Sequence, residues 1–271
     1  MVIDGKSIAA NIVERLKELP KAEKFFGAVL VGEDPAPINF LKQKEKVAKE
    51  LGIEFRLYNL PAGITTDELR HEIGRLAQPK HCGGFIVQLP LPEKINRHYA
   101  LNAIPKEKDV DCLGESALGA FYTGRSPIAP PSVATVEEIL KLEHRNLRDL
   151  TVVMVGAGFL IGKPVGFWLQ NKVAELIVLD EHVKDLHAKI KEADIVIAGA
   201  GQANLFTAKN LKEETLVIDF GFNKIDGKII GDFDPAGAEE KNIHYTRTPG
   251  GTGPVLVTKL FENFYLLNKE K

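Results

Sequence analysis

One stretch constrains the fold more than any other: a glycine-rich turn between an apolar run and a helix-like segment. It reads VVMVGAGFLIGKP and places Gly156, Gly158 and Gly162 directly after the apolar run. In such turns the first glycine permits the tight bend, the second lets the backbone approach a pyrophosphate, and the third allows close helix packing. Because a predicted strand precedes this turn and a predicted helix follows it, the stretch predicts a dinucleotide site. The alternative is a turn that serves packing alone.

The next predicted strand, AELIVLD, ends in an acidic residue, Asp180, 24 positions after Gly156. A carboxylate there accepts hydrogen bonds from ribose hydroxyls and repels a 2′-phosphate. Glu181 follows and no arginine lies near, so the sequence favours NAD over NADP, with a solvated loop carboxylate as the alternative. The predicted cofactor-binding residues are Gly156, Ala157, Gly158, Gly162, Asp180 and Glu181.

Apolar runs alternate with helical patterns along most of the chain, which predicts an α/β fold with parallel strands. In the first half FFGAVLVG, EFRLYNL and GGFIV are predicted strands, and TTDELRHEIGRLA is a helix capped by Thr65 or Thr66. Residues 114–133 are rich in Gly, Ser and Pro and are predicted to cross between two domains. A second α/β series follows, and the tail carries a helical apolar stripe.

Composition excludes several functional classes. The chain has 271 residues, a net charge of −2 and a pI near 6.4, which gives no reason to expect nucleic acid or a membrane surface as a partner. Its two cysteines, Cys82 and Cys112, have no metal-type spacing and cannot form a disulfide framework, so we expect a cytoplasmic protein without a metal site. The N-terminal segment is amphipathic and is not a secretory signal.

Three lysines at alternate positions, Lys42, Lys44 and Lys46, occur in the predicted helix of VGEDPAPINFLKQKEK. Phe40 and Lys44 are four residues apart and therefore share one helix face. Each of the other two lysines lies about 200° around the helix from Lys44, so we expect both to be solvated. Taken alone, the pattern favours three surface lysines.

Six segments together resemble the bifunctional methylenetetrahydrofolate dehydrogenase/cyclohydrolase family over essentially the whole chain. They are VGEDPAPINFLKQK, IVQLPLP, KDVD (108–111), GAGFLIGKP, VIDFGFN and PGGTGP. The resemblance implies two α/β lobes with a cleft between them. It implies a folate-binding catalytic domain formed by residues 1–118 and the C-terminal helix 253–271, and a Rossmann-type domain at 119–252. It also implies a homodimer.

The resemblance assigns catalytic roles to Lys44, Gln88 and Asp111, and substrate contacts to Phe40, Pro249, Gly250 and Gly251. It implies oxidation of 5,10-methylenetetrahydrofolate to the methenyl form with NAD or NADP, followed by hydrolysis to 10-formyltetrahydrofolate, within one-carbon metabolism and purine biosynthesis. A lysine whose pKa falls toward neutrality can move the protons of the hydrolysis, and an aspartate can accept the paired N–H groups of a pterin edge.

Departures from the family pattern leave alternatives open. Phe40 stands where the pattern has tyrosine, which puts cyclohydrolase efficiency in doubt, and Ala157 and Gly158 stand where arginine and serine are usual. The alternatives are a monofunctional NAD-dependent dehydrogenase, a catalytically silent nucleotide-binding homologue, and an enzyme for another pterin carrier.

Overall fold

The computed structural model describes residues 1–33 and 35–269, apart from the side chains at 35 and 36. Position 34, within the first of the family-like segments, lies outside this range. The described strands are β1 (Val2–Ile3), β2 (Phe25–Val31), β3 (Phe55–Leu60), β4 (Cys82–Val87), β5 (Thr151–Val155), β6 (Glu175–Leu179), β7 (Ile195–Ala198), β8 (Phe206–Thr207), β9 (Leu216–Asp219), β10 (Asn223–Ile225), β11 (Lys228–Ile230), β12 (Phe233–Asp234) and β13 (His244–Thr246).

The described α-helices alternate with these strands, as the sequence predicts. They are α1 (Gly5–Lys17), α2 (Pro35–Glu50), α3 (Thr66–Ala77), α4 (Arg97–Leu101), α5 (Glu115–Tyr122), α6 (Pro131–Leu142), α7 (Gly162–Leu169), α8 (Leu186–Ile190) and α9 (Thr252–Asn268). No helix within the described ranges has both the length and the apolar character of a membrane span.

The chain folds as two compact units. One, here called the lysine unit, comprises residues 10–131 and 257–271; the other, the glycine-turn unit, comprises residues 1–9 and 132–256. The bounds of the two units fall within α1, at the start of α6 and within α9. The parallel α/β architecture predicted from the alternating pattern is confirmed.

The lysine unit contains a parallel sheet in the order β3-β2-β4, and all seven residues of β2 are buried. Phe26 of β2 packs against Phe261 and Phe264 of α9, with ring centroids 5.1 and 5.9 Å apart. A Cβ at Gly84 of β4 would lie 2.8 Å from the Phe264 ring, so glycine is required where this helix crosses the strand. Helix α3 begins with the predicted cap, in which Thr65 and Glu68 bond each other's backbone N–H groups.

The glycine-turn unit contains a six-stranded parallel sheet in the order β1-β13-β9-β7-β5-β6. Its central strands β5, β7 and β9 are almost completely buried, as expected of a parallel sheet covered on both faces. Strand β6, which follows β5 in the chain, lies on one side of β5, and the next strand, β7, lies on its other side. The point at which the strand order reverses therefore lies between the carboxyl ends of β5 and β7.

The structure differs from the predicted boundaries at both ends of the first domain. The first residues belong to the glycine-turn unit because β1 pairs in parallel with β13, Val2 opposite Tyr245. Residues 119–131 belong to the lysine unit, where Asn263 Nδ2 of α9 donates to the Ala129 carbonyl at 2.8 Å. Residues 114–133 are not a plain crossing segment, since they contain α5 and the start of α6.

Candidate active site

Lys44 is buried on the inner face of α2. It is only 8% exposed, whereas Lys42 and Lys46 are exposed, so the predicted difference between the three lysines is confirmed. The buried stripe of this helix consists of Pro37, Leu41, Lys44 and Ala48. Lys44 therefore occupies a core-facing position that helical periodicity would assign to an apolar residue.

Gln88 holds the Lys44 amine in place. It directly follows β4, and its backbone N–H donates to the Val29 carbonyl at 2.9 Å. Its side chain is also buried: Oε1 accepts from Lys44 Nζ at 2.8 Å, while Nε2 donates to the Leu89 carbonyl at 2.7 Å. Because the amide nitrogen is bound to a carbonyl, the amide oxygen has to face the lysine.

Asp111 is the third predicted catalytic residue, and it influences the charge of Lys44. Burial lowers the pKa of Lys44, and the nearby Asp111 carboxylate opposes that shift. Burial likewise raises the pKa of the half-buried Asp111, and Lys44 opposes that shift in turn. The structure thus brings Lys44, Gln88 and Asp111 together in the lysine unit.

The residues of the KDVD segment make separate contacts, some through their side chains and one through its backbone carbonyl. Lys108 Nζ donates to the carbonyls of Ala77, Gln78 and Pro79 at 2.5–3.0 Å, which satisfies the C-terminal end of α3. The carbonyl of Val110 accepts from Asn263 Nδ2 at 2.8 Å. Asp111 therefore directly follows a stretch of chain that is held to both α3 and α9.

Asp109 is a buried residue of this segment that the sequence analysis did not select. Its side chain is fully buried, and Oδ2 accepts from the N–H groups of Leu113 and Gly114 at 3.0 and 2.7 Å. Oδ1 has no hydrogen-bond partner among the described residues. Burial raises the pKa of Asp109 to about 7. The only signal in the sequence was its place in the KDVD segment.

In the glycine-turn unit, the turn after β5 has the geometry that the sequence predicts for its first glycine. Gly156 has φ +100°, a conformation that side chains rarely adopt. A Cβ at Gly162 would lie 1.9 Å from the Gly156 carbonyl oxygen, so this glycine lets the start of α7 close onto the turn. A Cβ at Gly158 would meet nothing within 4 Å, which leaves open space beside the backbone there. These features fit a pyrophosphate-binding turn.

The other predicted residues of this unit occupy two further loops. Asp180 and Glu181 follow β6 and are exposed, and the Asp180 carboxylate accepts from the backbone N–H of His182 at 2.9 Å. Pro249, Gly250 and Gly251 form the turn before α9. A Cβ at Gly251 would lie 2.5 Å from the Arg247 carbonyl oxygen, so this glycine has a packing requirement whatever it binds.

A buried lysine–amide pair in one α/β unit and a dinucleotide-type glycine turn in the other define a two-domain dehydrogenase. A family model described as tetrahydrofolate dehydrogenase/cyclohydrolase, catalytic domain, matches residues 3–111. The corresponding NAD(P)-binding domain model matches residues 130–271. The chain belongs to the tetrahydrofolate dehydrogenase/cyclohydrolase family, which confirms the predicted family and enzyme class.

Individual relatives resemble this chain along almost its whole length. The chain is 36% identical to the bifunctional protein FolD of Bacillus licheniformis over 269 residues, covering 97% of this chain and 95% of the relative. Among solved structures, FolD from Campylobacter jejuni is 34% identical with a TM-score of 0.93, covering 99% of this chain and 98% of its own. The Trypanosoma brucei enzyme, solved with NADP and an inhibitor, is 29% identical with a TM-score of 0.92, covering 99% and 97%.

Asp109 generates a prediction about stability and pH. Since its folded pKa is about 7 against an ordinary value of 3.8, the folded protein retains this proton where the unfolded chain has lost it. Stability therefore falls as the pH rises from about 4 to about 7, by at most about 4 kcal/mol from this group. Over this pH range, the free energy of unfolding should fall less in Asp109→Asn than in the original protein. Urea unfolding at several pH values measures this difference.

The matched control for this measurement is Asp67→Asn, which alters an exposed carboxylate of the same unit. It should follow the original protein at every pH. Equal pH dependence of Asp109→Asn and the original protein would show that Asp109 does not titrate in this range.

Proposed function

We propose that this chain oxidises 5,10-methylenetetrahydrofolate to the methenyl form and hydrolyses the product to 10-formyltetrahydrofolate, with Lys44, Gln88 and Asp111 in the catalytic roles. The observation that supports this most strongly is the buried hydrogen bond of 2.8 Å between Lys44 Nζ and Gln88 Oε1, beside Asp111. A silent nucleotide-binding homologue would have no use for a desolvated amine held in this way, so retention of the arrangement favours an active enzyme.

Oxidation requires positioning more than proton transfer. A nicotinamide dinucleotide held by the glycine-turn unit would supply the acceptor for the hydride of the one-carbon bridge. The carboxyl oxygens of Asp111 accept the paired N–H groups of the pterin edge, and Phe40 presents a ring one helical turn from Lys44. The methenyl product is a cation. Since burial lowers the pKa of Lys44, an unprotonated amine avoids the repulsion that an ammonium group would cause.

Hydrolysis uses the same amine as a proton carrier. Unprotonated Lys44 takes a proton from the water whose oxygen bonds to the methenyl carbon. The bond from that carbon to N5 then breaks, Lys44 returns the proton to N5, and the hydroxyl proton leaves as the formyl group forms. Gln88 holds the amine in one orientation through both transfers, which general acid–base catalysis requires.

For the cofactor, we propose that the turn at Gly156, Ala157, Gly158 and Gly162 holds the pyrophosphate, and that Asp180 and Glu181 face the adenosine ribose. The match to an NAD(P)-binding domain supports a nicotinamide dinucleotide. The preference for NAD rests on Asp180 and on the absence of arginine between Arg148 and Arg247 in the sequence. The NADP complex of the T. brucei relative does not support that preference, so it stays a prediction.

Substrate contacts by Pro249, Gly250 and Gly251 and a homodimeric state rest on the family resemblance and stay predictions. A reducing, cytoplasmic setting is favoured by Cys82 and Cys112, which are both free and buried. Tetrahydrofolate is proposed as the carrier on the strength of the family match, since Asp111 alone would recognise only the pterin edge.

Replacing Lys44 tests the proposed function. Lys44→Met keeps a similar length but cannot carry a proton, so methenyltetrahydrofolate should decay at the uncatalysed rate. Oxidation should fall less, because hydride transfer needs no proton from this side chain. The decay is followed by ultraviolet absorbance, and dinucleotide reduction is assayed separately after acid quenching. The matched control, Lys42→Met on the exposed face of α2, should keep both activities; catalysed decay in Lys44→Met would contradict the assignment.

The phenylalanine at position 40 distinguishes a bifunctional enzyme from a monofunctional dehydrogenase. Phe40→Tyr adds a hydroxyl near Lys44 and should raise the hydrolysis rate about fivefold, the equivalent of one hydrogen bond of about 1 kcal/mol. Oxidation should change by less than about twofold, because it does not depend on water or proton handling. Phe55→Tyr, a half-buried ring of β3, is the control. If the hydrolysis rate were unchanged in Phe40→Tyr, the missing hydroxyl would not be the cause of a weak cyclohydrolase activity.

Cofactor preference is tested by measuring kcat/KM for oxidation with NAD and with NADP. We expect kcat/KM to be higher with NAD than with NADP. Asp180→Ala should lower the ratio of the NAD value to the NADP value, because the variant no longer repels a 2′-phosphate. Glu213→Ala, another exposed carboxylate of the unit, should leave the ratio unchanged. Reduction of NADP alone would show that the interpretation of Asp180 is wrong.

A further inference from the structure

We propose that Asp232 is a positioning residue for the dinucleotide: it fixes the loop 199–202, which forms one wall of the cofactor site. This rests on the proposed function, in which the glycine-turn unit binds a nicotinamide dinucleotide. Asp232 lies between β11 and β12, far along the chain from the glycine-rich turn, and no motif in the sequence marked it.

The carboxylate of Asp232 is fully buried and binds three successive backbone N–H groups. Oδ2 accepts from Ala200 at 2.7 Å and from Gly201 at 3.1 Å, and Oδ1 accepts from Gln202 at 2.8 Å. Residues 200–202 are themselves exposed. The conformation of this exposed loop is therefore fixed from the inside by one buried side chain, while its outer surface stays accessible to a ligand.

The position of this loop in the sheet makes it part of the cofactor site. It directly follows β7, and the glycine-rich turn directly follows β5, the neighbouring strand. Strand order reverses between β5 and β7. In open parallel sheets, ligands bind outside the carboxyl ends of the strands at such a reversal. A dinucleotide held by the turn after β5 would therefore lie beside loop 199–202.

The loop and the turn are in direct contact. A Cβ at Gly156 would lie 2.6 Å from the Gly199 carbonyl oxygen and 2.9 Å from Ala200 N. A Cβ at Gly199 would lie 3.0 Å from the Ile161 side chain, just before α7. There is no room for the loop to shift toward the turn without displacing it. Packing against the turn thus limits movement of the loop in one direction, and the hydrogen bonds of Asp232 hold residues 200–202 in place from the interior.

The surroundings of Asp232 allow its carboxylate little movement. A Cβ at Gly221 would lie 2.3 Å from Oδ1 of Asp232. A second buried carboxylate, Asp219, accepts from the N–H groups of Gly221 and Phe233 at 2.7 and 3.2 Å. It thereby fixes both the glycine that packs against Asp232 and the residue that follows Asp232 in the chain. Burial raises the pKa of Asp219 to about 6, and Asp232 contributes to that shift. The two carboxylates together hold the loops at this end of the sheet.

The experiment compares Asp232→Asn with the full-length original enzyme. An asparagine of the same shape keeps one acceptor oxygen but presents an NH₂ group to at least one of the three N–H donors. We expect the KM and Kd for the dinucleotide to rise about tenfold, the effect of losing a charge-assisted hydrogen bond. Hydrolysis of methenyltetrahydrofolate needs no dinucleotide and should stay within about twofold of the original rate.

Asp234→Asn is the matched control, two residues away. Its carboxylate caps a turn by accepting from Ala236 N at 3.0 Å, and its loss should leave dinucleotide binding unchanged. A loss of both activities in parallel in Asp232→Asn would indicate a purely structural role and overturn the proposal. Unchanged dinucleotide binding would overturn it as well.

A measurement on the original enzyme keeps the proposal testable if Asp232→Asn does not fold. By hydrogen exchange, the amides of 200–202 should exchange at least about tenfold more slowly than those of the exposed turn at 226–227, although both segments are loops. Equally fast exchange would show that Asp232 does not hold the loop. If the original enzyme neither binds nor reduces any dinucleotide, the proposed function fails, whereas slow exchange at 200–202 would leave the structural part of this inference standing.

Discussion

The burial of the Lys44 amine is the constraint on which the chemistry proposed for the lysine unit depends. An ammonium group on the inner face of α2 is poorly solvated, so the uncharged amine is favoured and the pKa falls. The Asp111 carboxylate limits that fall, because its negative charge stabilises the ammonium. The two opposing effects act on the same amine, which Gln88 keeps in one place, and this is the group proposed to take up a proton and return it.

The glycine-turn unit uses buried charge for a different purpose. Asp219 and Asp232 are buried carboxylates that hold backbone N–H groups of loops, and they have no lysine or arginine partner among their hydrogen-bond contacts in the described part of the chain. Their bonds fix the loops around the point where the strand order reverses. In the lysine unit burial lowers the pKa of the side chain that is proposed to react, and in the glycine-turn unit buried carboxylates fix loops that are proposed to form the cofactor site.

Much of the fold was predictable, because alternating apolar runs and helical patterns are local signals. Helix α5 was missed, since Gly, Ser and Pro at its flanks obscured the short apolar run within it. The domain bounds were displaced for a different reason: the pairing of β1 with β13 joins residues more than 240 positions apart, and no local pattern reports such a contact.

The candidate site was predictable to a lesser degree. Helical spacing placed Lys44 on a different face from Lys42 and Lys46, but only the family resemblance assigned it a role. The apolar positions Pro37, Leu41 and Ala48, which share its face, are a further sign of its burial. Asp109 and Asp232 had no such sign, because a carboxylate that binds loop N–H groups in the interior has the same neighbours in sequence as one on the surface. Cofactor preference was predicted from Asp180 and the absence of a nearby arginine, but it depends on contacts with a bound ribose or phosphate that these residues do not specify by themselves.

The segment from Lys108 to Asp111 carries an evolutionary consequence. Lys108 is attached to the end of α3, Val110 to α9 through Asn263, and Asp111 lies beside Lys44. Substitutions in this segment are limited to side chains that keep these separate contacts, and the number of residues in it has to stay the same. A single insertion or deletion between residues 108 and 111 would detach the carboxylate from the amine while leaving every helix and strand intact. Lineages that retain the chemistry should therefore vary in the loops on either side of this segment and keep the spacing within it.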